Sequence, residues 1–315
     1  MNRLYAIGEL LIDFQSIGHG GLKDTEEFVK KAGGAPANVA AQAAKLNCPA
    51  SYLTKVGNDG FGLFLIESLD EIGVDTHFIK RSDDYPTSLA FVSIKEDGER
   101  EFSFYRQVAA DLNILPSDFA EVTFTKGDIL ELGTVALASD RGKATHDYLI
   151  GKAKEEGALI AFDPNLRFNL FPDLSKLKEL VIEYSKQADI MKIGKDELQW
   201  LFGEDIEEGI STLLGFGVKV LLLTDGSKGA RLIREKERYS SPGYKVKAID
   251  ATGAGDSFFG AFLAKLMKAK SGKNLEGLPY KAMLDFACKA GAYTTTGYGA
   301  IPSMGNEEQI ERKVS

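Results

Sequence analysis

The chain has 315 residues, 44% of them hydrophobic, and a formal net charge of -8 at pH 7. It is long enough for one large α/β domain or two smaller ones, and its acidic balance with scattered lysines argues against a nucleic-acid partner. Two distant cysteines and three unclustered histidines argue against a disulfide framework and a structural zinc site. No apolar run approaches the roughly 18 residues of a membrane span, so we expect a soluble cytoplasmic protein that binds no membrane.

The N-terminal segment predicts a buried strand at residues 4–8, and two carboxylates, Glu9 and Asp13, follow it. In an open parallel sheet, ligands bind beyond the carboxyl ends of the strands, so Asp13 is a candidate site residue. Residues 14–31 are polar and contain glycines. They predict an irregular segment without a helix.

A glycine turn that opens a helix is predicted where the chain reads Gly33-Gly34-Ala35-Pro36-Ala37-Asn38. Proline suits a first helical turn. Asn38 would then lie near the start of the helix, where its amide can exchange hydrogen bonds with a hydroxylated ligand. The alternative is a capped helix that packs closely through its alanines and binds nothing.

The next elements are a strand, an amphipathic helix and a hairpin. Residues 51–56 predict the strand, and the helical spacing of apolar side chains predicts the helix at 61–72. Residues 88–94 and 100–105 flank the turn-forming sequence at 95–99, which indicates a β-hairpin.

This hairpin interrupts the alternation of strands and helices, and we pair it with the irregular segment. Together they predict a small β-sheet lid formed by about residues 14–32 and 85–108. Arg106 leaves the end of the hairpin and Asp111 follows it. A cation on a lid can close over an anionic or polar ligand. The alternative is an exposed arginine at the end of a strand.

From residue 127 onward, strands alternate regularly with helices of about ten residues or more. This pattern indicates right-handed βαβ units and a mostly parallel sheet that is covered on both faces. The predicted strands lie at 129–132, 159–163, 190–193 and 218–224, and the predicted helices at 139–156, 174–187, 195–202 and 206–216.

Polar residues recur directly after three of these strands. Asp163, Asn165 and Arg167 follow the first, residues 192–197 follow the second, and residues 224–229 follow the third. Because the carboxyl ends of parallel strands meet at one edge of the sheet, this recurrence indicates a binding site there.

A second glycine turn opens a helix where the chain reads Asp250-Ala251-Thr252-Gly253-Ala254-Gly255-Asp256. The first N–H groups of a helix have no intrahelical partner, and together with the helix dipole they favour an anion. Gly253 and Gly255 lack the Cβ atoms that would block a close approach. The segment therefore predicts an anion hole.

Asp256 lies at the mouth of this hole, where a carboxylate beside a phosphate is disfavoured. A general base that removes a proton from a hydroxyl next to the phosphate explains its presence. The alternative is a simple N-cap. The dinucleotide fingerprint fails here because Phe258 replaces its third glycine, and the chain contains no P-loop motif.

Taken together, the two glycine turns resemble the paired signatures of the ribokinase-like (PfkB) carbohydrate kinases, and the resemblance covers residues 4–303. The segments Phe104-Tyr105-Arg106 and Phe162-Asp163-Pro164-Asn165-Leu166-Arg167 are similar to the fructokinase group. The resemblance implies one kinase domain over 1–315, with a three-layer α/β/α fold, a mostly parallel central sheet and a small β-sheet lid.

The resemblance also implies a role for each matching residue. Asp256 would be the catalytic base, Arg167 would contact the transferring phosphate, and Gly253, Ala254 and Gly255 would form the anion hole. The sugar would be held by Asp13, Gly33, Gly34, Asn38, Arg106, Asp163 and Asn165. ATP would be held by Lys192, Thr224, Gly226, Lys228, Gly229, Ala290, Gly291 and Gly299.

Metal binding follows the same resemblance. Glu197 matches a glutamate that organises magnesium and water near the phosphates, although Gly194 stands where the family has asparagine. Asp250 and Thr252 match positions that bind an activating potassium ion in many members. Members of the family also often pair into a homodimer through the exposed edge of the lid.

The expected reaction is transfer of the γ-phosphoryl group from magnesium-bound ATP to a sugar hydroxyl, with D-fructose as the acceptor and fructose 6-phosphate as the product. Other acceptors, among them 2-keto-3-deoxygluconate, ribose and a nucleoside, stay open at this stage. So does a sugar-sensing protein that has lost catalysis. A nicotinamide-dependent oxidoreductase is disfavoured because no dinucleotide fingerprint follows the first strand.

Overall fold

In the computed structural model, which describes residues 2–18, 20–94, 100–269 and 275–314, strands and helices alternate along most of the chain. The strands are β1 (Leu4–Ile7), β2 (Leu11–Ser16), β3 (Phe28–Gly33), β4 (Ala50–Gly57), β5 (Ile79–Ser82), β6 (Ser88–Ile94), β7 (Arg100–Tyr105), β8 (Ile129–Leu132), β9 (Leu159–Phe162), β10 (Ile190–Gly194), β11 (Val220–Thr224), β12 (Gly229–Ile233) and β13 (Arg238–Pro242). The helices are α1 (Ala35–Lys45), α2 (Gly60–Asp70), α3 (Asp140–Glu155), α4 (Leu174–Ser185), α5 (Lys195–Phe202), α6 (Ile206–Gly215), α7 (Ala254–Ala269), α8 (Tyr280–Thr294) and α9 (Glu307–Lys313).

The larger sheet has nine strands within these residues, in the order β13-β12-β11-β10-β9-β8-β1-β4-β5. Its pairs are parallel from β11 to β5, and the two pairs that add β12 and β13 are antiparallel. Alternate residues of β1 enter opposite cores: Leu4 and Ala6 pack with α1, α7 and α8, while Tyr5 and Ile7 pack with the side of α3 to α6. The predicted three-layer α/β/α architecture is confirmed.

A second, separate sheet has four strands in the described part of the chain, in the order β3-β2-β6-β7. We call it the small sheet. The predicted hairpin supplies β6 and β7, and the turn between them, at 95–99, lies outside the described residues. The expectation of an irregular segment at 14–31 is wrong at its two ends, because β2 covers residues 14–16 and β3 covers residues 28–31. These strands form by pairing with each other and with β6, which local sequence does not reveal.

The small sheet also changes the position of Asp13. The sequence places this residue just past the end of the first strand, whereas in the structure it lies inside β2, opposite Lys31 of β3. Asp13 therefore belongs to the small sheet and not to the edge of the large one.

Helices α1 and α7 pack closely, and this contact brings the two glycine turns together. A Cβ atom on Gly260 of α7 would lie 2.5 Å from the carbonyl oxygen of Val39 in α1, so only glycine permits this approach. Pro36 stands in the first turn of α1, as expected. The helix starts consequently meet above the same edge of the large sheet.

The predicted elements between 129 and 224 match the structure to within two residues at each end. The polar tail after residue 302 carries one element that the sequence pattern did not predict, helix α9. Among the described residues, no helix is both long and apolar enough to cross a bilayer.

Candidate active site

A cleft of about 470 Å³ lies between the small sheet and the helix starts of the large one. The small sheet contributes polar Asp13 and Gln15 and apolar Val92, Phe102 and Phe104. Eleven of the 23 predicted site residues line it. These are Asp13, Gly34, Asn38, Asn165, Arg167, Lys192, Asp250, Thr252, Gly253, Gly255 and Asp256.

The floor of the cleft holds Asp256, the third residue of α7, which is only 7% exposed. Asn38 of α1 donates a hydrogen bond from Nδ2 to Asp256 Oδ2 at 2.8 Å. Burial raises the pKa of the Asp256 carboxyl, whereas Lys192 and the hydrogen bond from Asn38 lower it. The result is an oriented carboxylate with a raised affinity for a proton, which suits a general base.

The geometry of the turn before α7 accounts for its two glycines. Gly253 has φ +75°, and a Cβ atom there would lie 2.3 Å from Ala300 Cβ. A Cβ on Gly255 would instead face the flexible end of Lys192, 3.2 Å from Nζ. Ala254 does not line the cleft, and its N–H donates to the carbonyl of Ala251 at 3.3 Å. The first-turn amides that follow it are the ones left to face an anion.

The turn before α1 is held by Glu9, whose Oε1 accepts the N–H of Ala35 at 3.0 Å. Gly34 has φ +124°, and a Cβ there would be 2.2 Å from the carbonyl oxygen of Glu9. Gly33 does not line the cleft but leaves room for Asp13, since a Cβ on it would be 2.2 Å from Asp13 Oδ2. Burial raises the pKa of Asp13 to about 6, although Arg167 and Lys31 oppose the rise.

The loop after β9 joins two charged groups of different character. Asp163 is buried beneath the cleft and accepts two bonds from Lys192 Nζ, at 2.8 and 3.0 Å. Burial lowers the pKa of Lys192, but Asp163 and the neighbouring carboxylates outweigh it and bring the value to about 12. Asn165 has φ +42°, a left-handed conformation uncommon outside glycine, and Arg167 is exposed at the cleft.

The carboxylate of Glu197 accepts hydrogen bonds from two backbone N–H groups. Its Oε1 accepts the N–H of Leu166 at 2.7 Å, and its Oε2 accepts the N–H of Gly194 at 2.7 Å. Glu197 thereby ties the loop after β9 to the start of α5, and it leaves only its second lone pairs for water. Gly194, at the position of the family asparagine, contributes its backbone to this contact.

Arg106 does not enter the cleft. It is 6% exposed and forms a 2.6 Å ion pair with Asp111, which is 1% exposed and also accepts a hydrogen bond from Ser88 Oγ at 2.5 Å. The sequence offered two expectations for Arg106, a lid cation that closes over a ligand and an exposed arginine at the end of a strand. Neither describes the buried position of Arg106. Since Ser88 begins β6 and Arg106 follows β7, Asp111 joins the base of both hairpin strands.

The predicted ATP residues lie outside this cleft, apart from Lys192. Thr224 ends β11, and the residues from Gly226 to Gly229 form the short turn that leads into β12. In α8, the carbonyl of Ala290 accepts a bond from Ser257 Oγ at 3.1 Å, and Gly291 packs against the start of α7. Lys228 is exposed on the turn. Ala290 and Gly291 therefore pack against the start of α7, while residues 224–229 form a separate turn at the end of β11.

Asp250 organises the segment that leads into the glycine turn. Its Oδ1 accepts bonds from the N–H and the hydroxyl of Thr252, at 2.9 and 2.6 Å, and its Oδ2 accepts the N–H of Gly299 at 2.9 Å. These contacts fix the Asp250 carboxylate beside the hydroxyl oxygen of Thr252, and oxygen groups of this kind are the ligands that hard cations prefer. Within the described ranges, no cluster of three His, Cys, Asp or Glu residues could hold a metal alone.

Sequence reasoning missed several residues of the cleft. Phe102 and Phe104 stack with their rings 6.1 Å apart and form an apolar wall, and Tyr298, 70% exposed, also lines the cleft. Beneath the site, the buried Glu131 has a pKa well above its usual range because of burial and the nearby Asp163. The alternation of apolar residues in the hairpin was a usable signal for the aromatic wall; nothing local marked Glu131.

Comparisons with known proteins agree with this geometry. The model of the pfkB family carbohydrate kinases matches residues 1–307. A probable fructokinase-5 from Arabidopsis thaliana is 39% identical over 304 residues, which is 96% of this chain and 94% of that protein. A fructokinase-2 from Solanum lycopersicum is 36% identical over 96% of this chain and 92% of that protein.

Solved structures give the same result. A fructokinase double mutant from Vibrio cholerae O395, bound to fructose, ADP and a potassium ion, superposes with a TM-score of 0.90 at 32% identity, over 100% of this chain and 99% of that one. A fructokinase from Xylella fastidiosa with bound ATP has a TM-score of 0.88 at 28% identity, over 98% and 97%. The chain belongs to the pfkB family of carbohydrate kinases.

Proposed function

We propose that the protein transfers the γ-phosphoryl group of ATP to a hydroxyl of D-fructose and releases fructose 6-phosphate. The observation that carries this proposal is the Asp256 carboxylate, oriented by Asn38 beside the glycine turn at the floor of the cleft. A base and an anion site next to each other are what phosphoryl transfer to a hydroxyl requires. Fructose is favoured among sugars because the full-length relatives are named fructokinases.

In this mechanism, Asp256 takes the proton from the attacking hydroxyl as the oxygen approaches the γ-phosphorus. The first-turn amides of α7 stabilise the negative charge that develops on the transferring group. Arg167, exposed at the cleft, contacts the same group, while Asp13 and Asn165 hold sugar hydroxyls. Most of the rate acceleration then comes from positioning and from charge neutralisation.

The positions that we propose for magnesium and potassium follow from the oxygen groups available to bind them. Magnesium would arrive with ATP and be held mainly by the phosphates and water, with Glu197 keeping the adjoining backbone in place. Potassium would be held near Asp250 and Thr252. A related structure with fructose and ADP contains potassium. The loop 224–229, with Ala290, Gly291 and Gly299, remains our prediction for the nucleotide end of the site.

The small sheet would act as the lid over the bound sugar and exclude water, in a single kinase domain. Its outer strands β3 and β7 carry exposed apolar side chains, Val29 at 46% and Tyr105 at 63% exposure. We propose that the exposed edges of the small sheet pair two copies into a homodimer, which light scattering at micromolar concentration would detect. We also retain the cytoplasm, with its supply of ATP, as the predicted location.

The test is ADP release from MgATP and potassium with fructose, 2-keto-3-deoxygluconate, ribose, tagatose and adenosine. We expect the highest kcat/KM with fructose. Turnover on a different acceptor alone would overturn the fructose assignment but keep the kinase. A melting shift with a sugar and no ADP release with any of them would instead indicate a sensor.

A further inference from the structure

Lys31 is a cation on the small sheet whose side chain reaches the segment after α8. It lies in β3 directly opposite Asp13 of β2, so both side chains stand on the same face of the small sheet. Asp13 lines the cleft, and Lys31 is therefore carried at its rim. Lys30, the preceding residue, points the other way and places its ammonium 4.0 Å from the ring centre of Phe64.

The side chain of Lys31 crosses from the small sheet to the segment after α8. Its stem packs on Gly299: a Cβ atom there would be 2.8 Å from Lys31 Cδ and 3.0 Å from Nζ. The ammonium lies 5.8 Å from the ring centre of Tyr298, which lines the cleft. The N–H of Gly299 in turn bonds Asp250, so Lys31 ends beside the segment that leads into the anion hole.

Lys31 differs from the buried cations near the site in its ion pairing. Arg106 is paired with Asp111, and Lys192 is paired with Asp163. Within the ranges that the structure describes, Lys31 has a cation–π contact with Tyr298 but no ion pair within 4.0 Å. A partly buried ammonium whose neighbouring carboxylates lie beyond ion-pair distance can bind an incoming anion.

We propose that Lys31 binds a phosphate oxygen of the nucleotide at the mouth of the cleft, so that the small sheet supplies one of the charges that phosphoryl transfer needs. This inference rests on the proposed kinase function. It gives the lid a chemical role: the cation reaches the phosphates only while the small sheet stays against the loop at 298–300. Phosphoryl transfer is then coupled to closure over the sugar, which limits ATP hydrolysis by water.

The pH dependence of nucleotide binding offers an independent readout. Lys31 is faced by Asp13 from β2, by Asp250 from the segment before α7 and by Tyr298 from the segment after α8. Burial lowers the pKa of Lys31, and the two carboxylates oppose this. Affinity for the nucleotide should fall as the pH rises through that pKa, because the neutral amine no longer attracts phosphate. An arginine stays protonated over that range.

The experiment compares Lys31→Met, Lys31→Arg and the matched control Lys30→Met in the full chain. MgATP and MgADP binding are measured by calorimetry, and kcat and KM for ATP and fructose by ADP release. We expect Lys31→Met to weaken MgATP binding roughly 10- to 100-fold, the range for a lost charge-assisted hydrogen bond. Lys31→Arg should retain most of the affinity and lose the alkaline decline, and Lys30→Met should match the wild type.

The outcomes separate this inference from the kinase assignment. If the wild type phosphorylates a sugar but Lys31→Met binds MgATP normally, the role of Lys31 is overturned and the kinase stands. If the wild type binds MgATP without turnover and Lys31→Met binds it weakly, Lys31 stands and the kinase fails. An equal loss in Lys30→Met, or a loss confined to fructose KM, also overturns the phosphate role.

Discussion

Gly253→Ala is the substitution for which the structure gives the most direct estimate. Gly253 has φ +75°, and an alanine in this left-handed conformation costs about 1–2 kcal/mol. The new Cβ would also lie 2.3 Å from Ala300 Cβ. This is roughly 1.2 Å shorter than an ordinary carbon contact of about 3.5 Å. Both atoms are Cβ atoms, which are fixed to the backbone and cannot rotate out of the contact. The turn itself must therefore move.

A displacement of this size would misalign the amides at the start of α7. Misplacing a reacting group by about 1 Å costs on the order of 10²-fold, and losing one oxyanion-hole donor costs about 10²–10³-fold in kcat. We therefore expect Gly253→Ala to lower kcat by roughly 100- to 1000-fold. Fructose binding should change much less, because in the proposed mechanism the sugar hydroxyls are held by Asp13 and Asn165, which are not part of the turn.

The assay is steady-state ADP release together with thermal melting, and Gly73→Ala is the matched control. Gly73 also has a left-handed backbone, φ +85°, but a Cβ there meets nothing within 4 Å, and it lies in the turn after α2. It should lose a similar conformational free energy of about 1–2 kcal/mol while keeping kcat within about twofold. A Gly253→Ala enzyme with kcat within about threefold of wild type would refute the anion-hole argument. An equal loss in Gly73→Ala would show that the backbone penalty alone is responsible.

Three further predictions concern the carboxylates and their partners. Asp256→Asn should lower kcat at least about 100-fold while fructose still binds in calorimetry, since the shape is kept and the base is lost; unchanged turnover would exclude the base role. Burial raises the pKa of Asp13 to about 6, and in the proposed mechanism its ionised form accepts sugar hydroxyls, so kcat/KM for fructose should fall as the pH drops through that value. A profile that stays flat to about pH 5 would contradict this. Asp111→Asn leaves the buried Arg106 without its charge partner and should lower the free energy of unfolding by about 3–5 kcal/mol in denaturant titrations, with fructose KM unchanged. A selective rise in fructose KM at native stability would show that Arg106 acts on the sugar instead.

Most of the large sheet could be predicted because its signals are local. Strands and helices alternate with clear periodicity from 129 to 224. The turns before α1 and α7 each need a positive φ that few residues besides glycine adopt, so their glycines mark where the helices begin. The small sheet could not be predicted fully. Residues 14–16 and 28–31 have weak strand character, and only pairing between β2, β3 and β6 makes them strands.

Within the site, sequence identified the types of residue but not their partners. Asn38 and Asp256 are separated by 218 positions, and their 2.8 Å contact depends on the packing of α1 against α7. Arg106 looks like a free cation in sequence, yet the fold buries it against Asp111. Lys31, which no motif singles out, is brought across the cleft by strand register.

The sequence by itself therefore determined the α/β class, the helix starts and the chemistry of the glycine turns, because backbone dihedrals and apolar periodicity act over a few residues. The tertiary structure alone decided which charges are paired and which face the cleft. Burial and long-range packing set these, and they depend on residues far apart in the chain. Lys31 lies in β3 and Arg106 follows β7, the two outer strands of the small sheet, yet long-range packing buries Arg106 against Asp111 and places Lys31 beside Tyr298.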